Sequence, residues 1–202
     1  MTTAINYIKK TVQNEFKKKE DENYNYKKIY TQRLIGYRHI KEAVVKLEKP
    51  TNIPRARELG YKAKQGIIVV LAKVRKGSGL IRRPNKGRKP KRMGVNKITR
   101  RISIQRMAEN KAADKFVNME VLNSYLIGED GQHKYYEVIL VDPNHPRIIT
   151  DKDLHWICDP QHKGRSYKGL TSAGKKNRGL DKKGKGTEKN RPSLRANNRK
   201  AK

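Results

Sequence analysis

Hydrophobic positions in the first twenty residues recur at helical spacing: Ile5, Ile8, Val12 and Phe16 follow Thr2 and Thr3, either of which can cap, and predict an amphipathic helix. A second helical pattern runs through Ile29, Leu34, Tyr37 and Ile40, weakened by Gly36. The period then changes. AVVKLEKP, residues 43–50, carries Val44, Val45 and Leu47 in a short strand-type run ended by proline. Pro54 at a first helical position opens a helix of one or two turns that closes at Gly60. GIIVVLAKVRKG, residues 66–77, is rich in β-branched side chains and bounded by glycines, the clearest strand of the chain. Ser103 can cap a helix whose Ile104, Met107, Ala108 and Ala112 share a face. VNMEVLNSYLIG from Val117 and KYYEVILVD from Lys134 predict two further strands, joined through EDGQ with Gly131 at the turn.

These elements predict an α+β fold: a small mixed or antiparallel sheet in β-(α)-β-α-β-β order with packed helices. The division that follows is an N-terminal helical segment at 1–42, an α/β domain at 43–160 with a basic loop at 77–97, and a basic C-terminal extension at 161–202. Two stretches carry no pattern. In GSGLIRRPNKGRKPKRMG, residues 77–94, glycine and proline break regular structure, and a loop of this length in a small domain is functional or disordered. The last 42 residues hold seven members of the hydrophobic set, too few to offset chain entropy, so order there is expected only on a partner.

Charge changes the picture from fold to partner. The 202 residues carry 50 Lys and Arg against 19 Asp and Glu, a formal +31. Its distribution is uneven: residues 59–108 have 16 basic side chains and no carboxylate, and residues 161–202 have 15 basic and 2 acidic. Residues 109–160 have 5 basic and 10 acidic, a net-negative centre. A surface that is merely soluble mixes both signs, because a large single-sign field repels itself. The excess calls for a polyanion, and nucleic acid binds such surfaces by releasing condensed counterions. No apolar run approaches the roughly 18 residues of a spanning helix, and MTTAINYIKK lacks a signal-peptide core. A cytoplasmic protein is expected.

Candidate chemistry is sparse. GLTSAGKK, residues 169–176, is one position short of a nucleotide-binding loop: Gly169, Gly174 and Lys175 fit, but Lys176 stands where a hydroxyl should hold magnesium. No buried strand precedes it, and KNRGLDKKGKG breaks a following helix. Thr171 or Ser172 can still cap a short helix whose end, beside Lys175, Lys176 and Arg178, suits nucleic-acid phosphates. His155, Cys158 and His162 have ligand-like spacing, with His145 upstream, but Pro160 interrupts the helix that would align them, and a packed Trp156-Ile157-Cys158 cluster is the expectation, with no metal and no cofactor. The single cysteine forms no internal disulfide, and no G-x-S-x-G elbow places a nucleophile. Two rival readings stay open: a P-loop phosphotransferase built on 169–176, and a DNA-compacting protein that shares the charge. Zinc-finger, basic-zipper and RNP-type signatures are missing, whereas structured RNA, with closely packed helices, could enclose basic Gly- and Pro-rich loops.

Several motifs together carry a family resemblance: ELGYKAKQG at 58–66, GVN at 94–96, VLNSYLIGED at 121–130, YYEVILVDPNHP at 135–146 and GLTSAGKKNRGL at 169–180. From residue 43 to its end the chain resembles the large-ribosomal-subunit protein fifteen family of archaea and eukaryotes. The first forty residues match it only in length and helical character, and KGKGTEKNRPSLRANNRK looks more archaeal than eukaryotic. The resemblance implies a small α/β domain, extensions threaded through large-subunit ribosomal RNA, neighbouring large-subunit proteins as further partners, no enzymatic activity and no small-molecule substrate. RNA contacts are then expected from Lys62, Lys64 and Gln65 in the YKAKQG turn and from Arg82, Arg83, Lys86, Arg88, Lys89, Lys91 and Arg92 in the long loop. Arg100 and Arg101 ahead of the next helix, and Arg165, Lys168, Lys175, Lys176 and Arg178 in the extension, complete the set. Tyr61 and Tyr167 are candidate stacking groups.

Overall fold

Four strands, β1 (Val44–Leu47), β2 (Ile67–Arg75), β3 (Glu120–Glu129) and β4 (His133–Val141), form one sheet in the order β1-β2-β4-β3. Every neighbouring pair is antiparallel, which decides between the mixed and antiparallel alternatives. The computed structural model describes residues 3–21, 24–79, 81–96, 98–182, 184 and 187–198; Thr2, one of the two expected caps, lies outside them. A tight turn joins β3 to β4, and Asp130 organises it: one carboxylate oxygen accepts the N–H groups of Gln132 at 2.8 Å and His133 at 2.6 Å. β4 then inserts beside β2, in register from Ile67 opposite Val141 to Arg75 opposite His133.

The unbroken apolar run of β2 is explained by layers on both faces of the sheet. Val69 and Leu71 of β2 and Ile139 and Val141 of β4 point into one core, with Tyr30, Leu34, Ile148 and Ile157 above them. Val70, Ala72 and Val74, with Val138 and Leu140, point into the other. That second face is covered by α4 (Ile104–Lys115), whose Ala108 and Ala112 are fully buried and allow close approach. Ser103 caps α4 as expected, its hydroxyl accepting the Arg106 N–H at 3.3 Å. The first face is covered by α2 (Tyr26–His39), α3 (Ile53–Glu58), α5 (Pro146–Ile149) and the 3-10 turn His155–Cys158. Asn52 caps α3 and Pro54 is its second residue, a small shift from the expected start.

The first helix, α1 (Ala4–Lys17), packs on α2 through Arg33–Glu15 at 2.7 Å and a Phe16–Tyr30 ring contact. Its apolar stripe is only partly used, for Ile5 and Ile8 stay 48% and 44% exposed. Among the described residues no helix is long and apolar enough to cross a membrane.

The extension departs from the compositional expectation. Its first part folds as α6 (Arg165–Lys168) and α7 (Ser172–Asn177), packed against α4 and β3. Ser166, Thr171, Ala173 and Gly174 are buried there. Order comes from polar anchoring and close backbone approach, neither of which a count of apolar residues registers.

Candidate nucleic-acid interface

The long loop leaves the sheet at Arg75 and returns at Ser103. Arg82, Arg83, Lys86, Arg88, Lys89, Lys91 and Arg92 are all exposed, and among the described residues of the loop the only regular structure is a 3-10 turn at Pro90–Arg92. None of the described ion pairs uses a residue between 77 and 108. That follows from a stretch without carboxylates, and it leaves the field of these cations unneutralised. At one bend Asn85 accepts the Lys86 N–H at 2.9 Å and its carbonyl accepts the Arg88 N–H at 2.8 Å, which presents Lys86 outward.

The loop's base is fixed to the body. Arg100 donates from Nη1 to the Arg75 carbonyl at 3.3 Å and lies 3.3 Å from Met107 Sδ. Asn177 of α7 accepts the Ser103 N–H at 2.5 Å and donates to the Arg101 carbonyl at 3.2 Å. Arg100 thus serves as an anchor, while Arg101 stays exposed. Asn177, a neutral residue in a lysine-rich segment, joins the loop to the extension. Nothing in its sequence context marks that role.

The near-nucleotide loop is a packing motif. Thr171 caps α7, its Oγ1 accepting the Gly174 N–H at 3.0 Å, and the same hydroxyl donates to Glu109 at 2.6 Å. Gly169 ends α6 with a φ of 68°, in the left-handed region, and a Cβ on Gly174 would lie 2.6 Å from the Gly169 Cα. Both glycines therefore answer to backbone crossing, and the amide of Gly174 is already engaged. Lys175 and Lys176 remain exposed beside this crossing, Lys168 reaches the Gln161 carbonyl at 3.4 Å, and Arg178 donates to the Gly169 carbonyl at 3.2 Å.

Two residues of the expected set are ion-paired within the chain and a third is buried. Lys62 pairs with Asp153 at 2.6 Å and with Asp151 at 3.1 Å, which raises its pKa. Lys64 pairs with the same Asp151 and holds that carboxyl well below the usual carboxylate range. Arg165 is only 6% exposed; it packs 4.6 Å from the Trp156 ring centroid, and burial lowers its pKa despite Glu120 and Glu109 nearby. Gln65 is exposed. The 62–65 turn precedes β2 and the long loop follows it, so at about 3.3 Å per residue the nine-residue strand separates these clusters by roughly 25 Å.

The remaining candidates have structural partners. His145 accepts the Arg147 N–H at 3.2 Å, His155 Nδ1 lies 2.8 Å from the Ile149 carbonyl, and His162 meets Trp156 edge-on. Among the described residues no three potential metal ligands cluster. Tyr61 packs on the first core; Tyr167 is 53% exposed with its hydroxyl on Asp114.

Comparison with known proteins identifies the family. Residues 5–197 match the profile of the family described as Ribosomal L15. The chain is 58% identical over 174 residues to the large ribosomal subunit protein eL15 of Methanocella arvoryzae, covering 86% of this chain and 88% of that one. It is 60% identical over 160 residues to the protein of the same name from Methanospirillum hungatei, covering 79% and 82%, and 56% identical over 160 residues to that of Haloarcula marismortui, again 79% and 82%. With a match that begins in α1 and runs past α7, the chain belongs to the ribosomal L15e family, a family of ribosomal proteins and not of enzymes.

Proposed function

We propose that this chain is a structural constituent of the large ribosomal subunit in the cytoplasm, where it binds and stabilises large-subunit ribosomal RNA beside neighbouring subunit proteins. The observation that carries the reading is the exposed run of seven cations between Arg82 and Arg92, without a carboxylate partner among the described residues and held at its base by Arg100 and Asn177. A protein that had only to remain soluble would neutralise part of that field internally. Here the counter-charge is left to the partner, and RNA phosphates supply it.

Phosphate and groove contacts are assigned to Arg82, Arg83, Lys86, Arg88, Lys89, Lys91, Arg92, Arg101, Lys168, Lys175 and Lys176, all exposed. Gln65 is a polar contact at the other end of β2. Arg100 and Arg178 hold the scaffold, Arg165 is buried against Trp156, and Lys62 and Lys64 meet phosphate only by exchanging their Asp151 and Asp153 pairs. The relatives' printed name, large ribosomal subunit protein, supports the choice of RNA over DNA.

The test is competition binding at several salt concentrations between a large-subunit ribosomal RNA fragment and random duplex DNA of equal charge. Both should show steep salt slopes, with the RNA retained at salt that releases the DNA. Equal affinities across the series would return the reading to general nucleic-acid compaction.

A further inference from the structure

Besides joining the loop base, α7 lines a pocket of about 630 Å³, within the size range of small-ligand sites. Its apolar lining comes from Leu59, Leu122, Leu154, Leu170 and Leu180. Trp156, the sole tryptophan of the chain, forms another part of the lining and keeps 37% of its surface exposed. Arg165 also lines this space, more than nine-tenths buried, and its Nε and Nη1 have no hydrogen-bond partner among the described residues.

Buried guanidinium nitrogens without acceptors are rare in native proteins. The neighbouring carboxylates are already engaged. Glu120 accepts the main-chain N–H groups of Gly164 and Arg165, and Glu109 accepts the hydroxyls of Ser124 and Thr171. Lys175 lines the same pocket with no ion-pair partner among the described residues, while Glu58 is neutralised by Lys9 and Arg55 and Asp153 by Lys62. Asp181 is the one lining carboxylate left without such a pair among the described residues. The pocket therefore combines an aromatic surface, apolar walls, unmet buried donors and a free ammonium.

We propose that this pocket receives one unpaired nucleotide of the bound RNA, with its base against Trp156 and the leucines, its base acceptors toward Arg165 and its phosphate at Lys175. The inference rests on the RNA-binding reading above. An apolar side chain of a partner protein would fill the leucine walls but leave the guanidinium unmet. A nucleobase offers both a π-face and ring or carbonyl acceptors, and its backbone brings the anion.

Because Trp156 is the only tryptophan, its fluorescence reports on the pocket directly. The full chain is titrated with short fluorescently labelled oligo(A) and with an abasic ribose-phosphate strand of equal length and charge. Both strands should bind, but the base-bearing one about tenfold more tightly, and only it should quench Trp156. Arg165→Lys should abolish most of that preference while the label still reports binding, and Trp156→Ala, followed through the label alone, should do the same if Arg165→Lys proves unfolded by thermal melting. Equal binding of the two strands without a change in Trp156 emission overturns the nucleotide pocket and leaves the RNA reading standing, with a partner protein's side chain as the better occupant. Binding of neither strand would overturn both.

Discussion

Thr171 donates its hydroxyl to Glu109 at 2.6 Å while accepting the Gly174 N–H at 3.0 Å, so a single buried oxygen both starts α7 and ties it to α4. Glu109 completes the joint by accepting the Ser124 hydroxyl of β3 at 2.6 Å. Burial raises the Glu109 pKa, and the two hydroxyls oppose that rise. Thr171→Val keeps the volume and removes both bonds. The expected loss is about 1.5–3 kcal/mol in urea unfolding, since a bond to a buried carboxylate disappears and leaves an acceptor unmet. Thr171→Ser, which keeps the hydroxyl, should lose clearly less. Equal losses would mean that the methyl contact, not the hydrogen bonds, anchors the extension.

Gly174 tests whether GLTSAGKK is a packing motif. A methyl group there meets the Gly169 backbone, which cannot rotate away as a side chain could. Gly174→Ala should therefore destabilise the protein by about 1–3 kcal/mol, the usual range for overpacking. Lys176→Ala, at an exposed position, should leave the melting temperature unchanged. Magnesium and ATP should not raise the melting temperature of the unmodified chain. A saturable rise that Lys175→Ala removes would restore the nucleotide reading.

Legibility in the sequence followed the range of the interactions. The β2 run, the Ser103 cap and the β3–β4 hairpin are local, and each was readable from spacing and turn chemistry. The seven loop cations are readable as exposed because they sit in a stretch of fifty residues, 59–108, that holds no carboxylate. Lys62 looked equally free, yet its partner Asp151 lies 89 residues further along, brought near only because β2 and β4 align in register. The burial of Arg165 is equally hidden, because its Trp156 neighbour is nine positions away in a segment without a clear period. The order of the extension is hidden for a different reason. Apolar area decides most packing, but α6 and α7 are fixed by Thr171, Glu109 and two glycines, where a hydrogen bond or a missing Cβ outweighs area.

The Asp151 cluster should give stability a defined acid limb. Lys64, the Asp153 backbone N–H and Lys62 depress the folded pKa of Asp151, so its contribution is fully present above the unfolded value of about 4 and is lost as pH falls toward the folded value. Asp151→Asn should be less stable than the unmodified chain at pH 7, and the gap should narrow as pH falls below about 4. Melting temperatures of both chains between pH 7 and pH 2.5 check this. A gap independent of pH would show that Asp151 acts through packing rather than charge, and no gap at all would show that it acts through its Asp153 and Leu154 backbone hydrogen bonds, which asparagine can retain.

Charge removal in the long loop separates binding from folding. Arg88, Lys89 and Lys91 are exposed and make no described side-chain hydrogen bond, so replacing all three by glutamine should not move the urea midpoint. If each neutralises one RNA phosphate, the slope of log affinity against log salt should shrink by about 2 to 2.7, at roughly 0.7 to 0.9 per contact. The comparison that gives this result force is Arg100→Gln. Arg100 holds the Arg75 carbonyl and Met107, so its loss should loosen the loop base and weaken binding at every salt concentration. The slope should then change by no more than one contact. A triple variant with an unchanged slope would remove the loop tip from the interface and leave the extension and Arg101 to carry the RNA contacts.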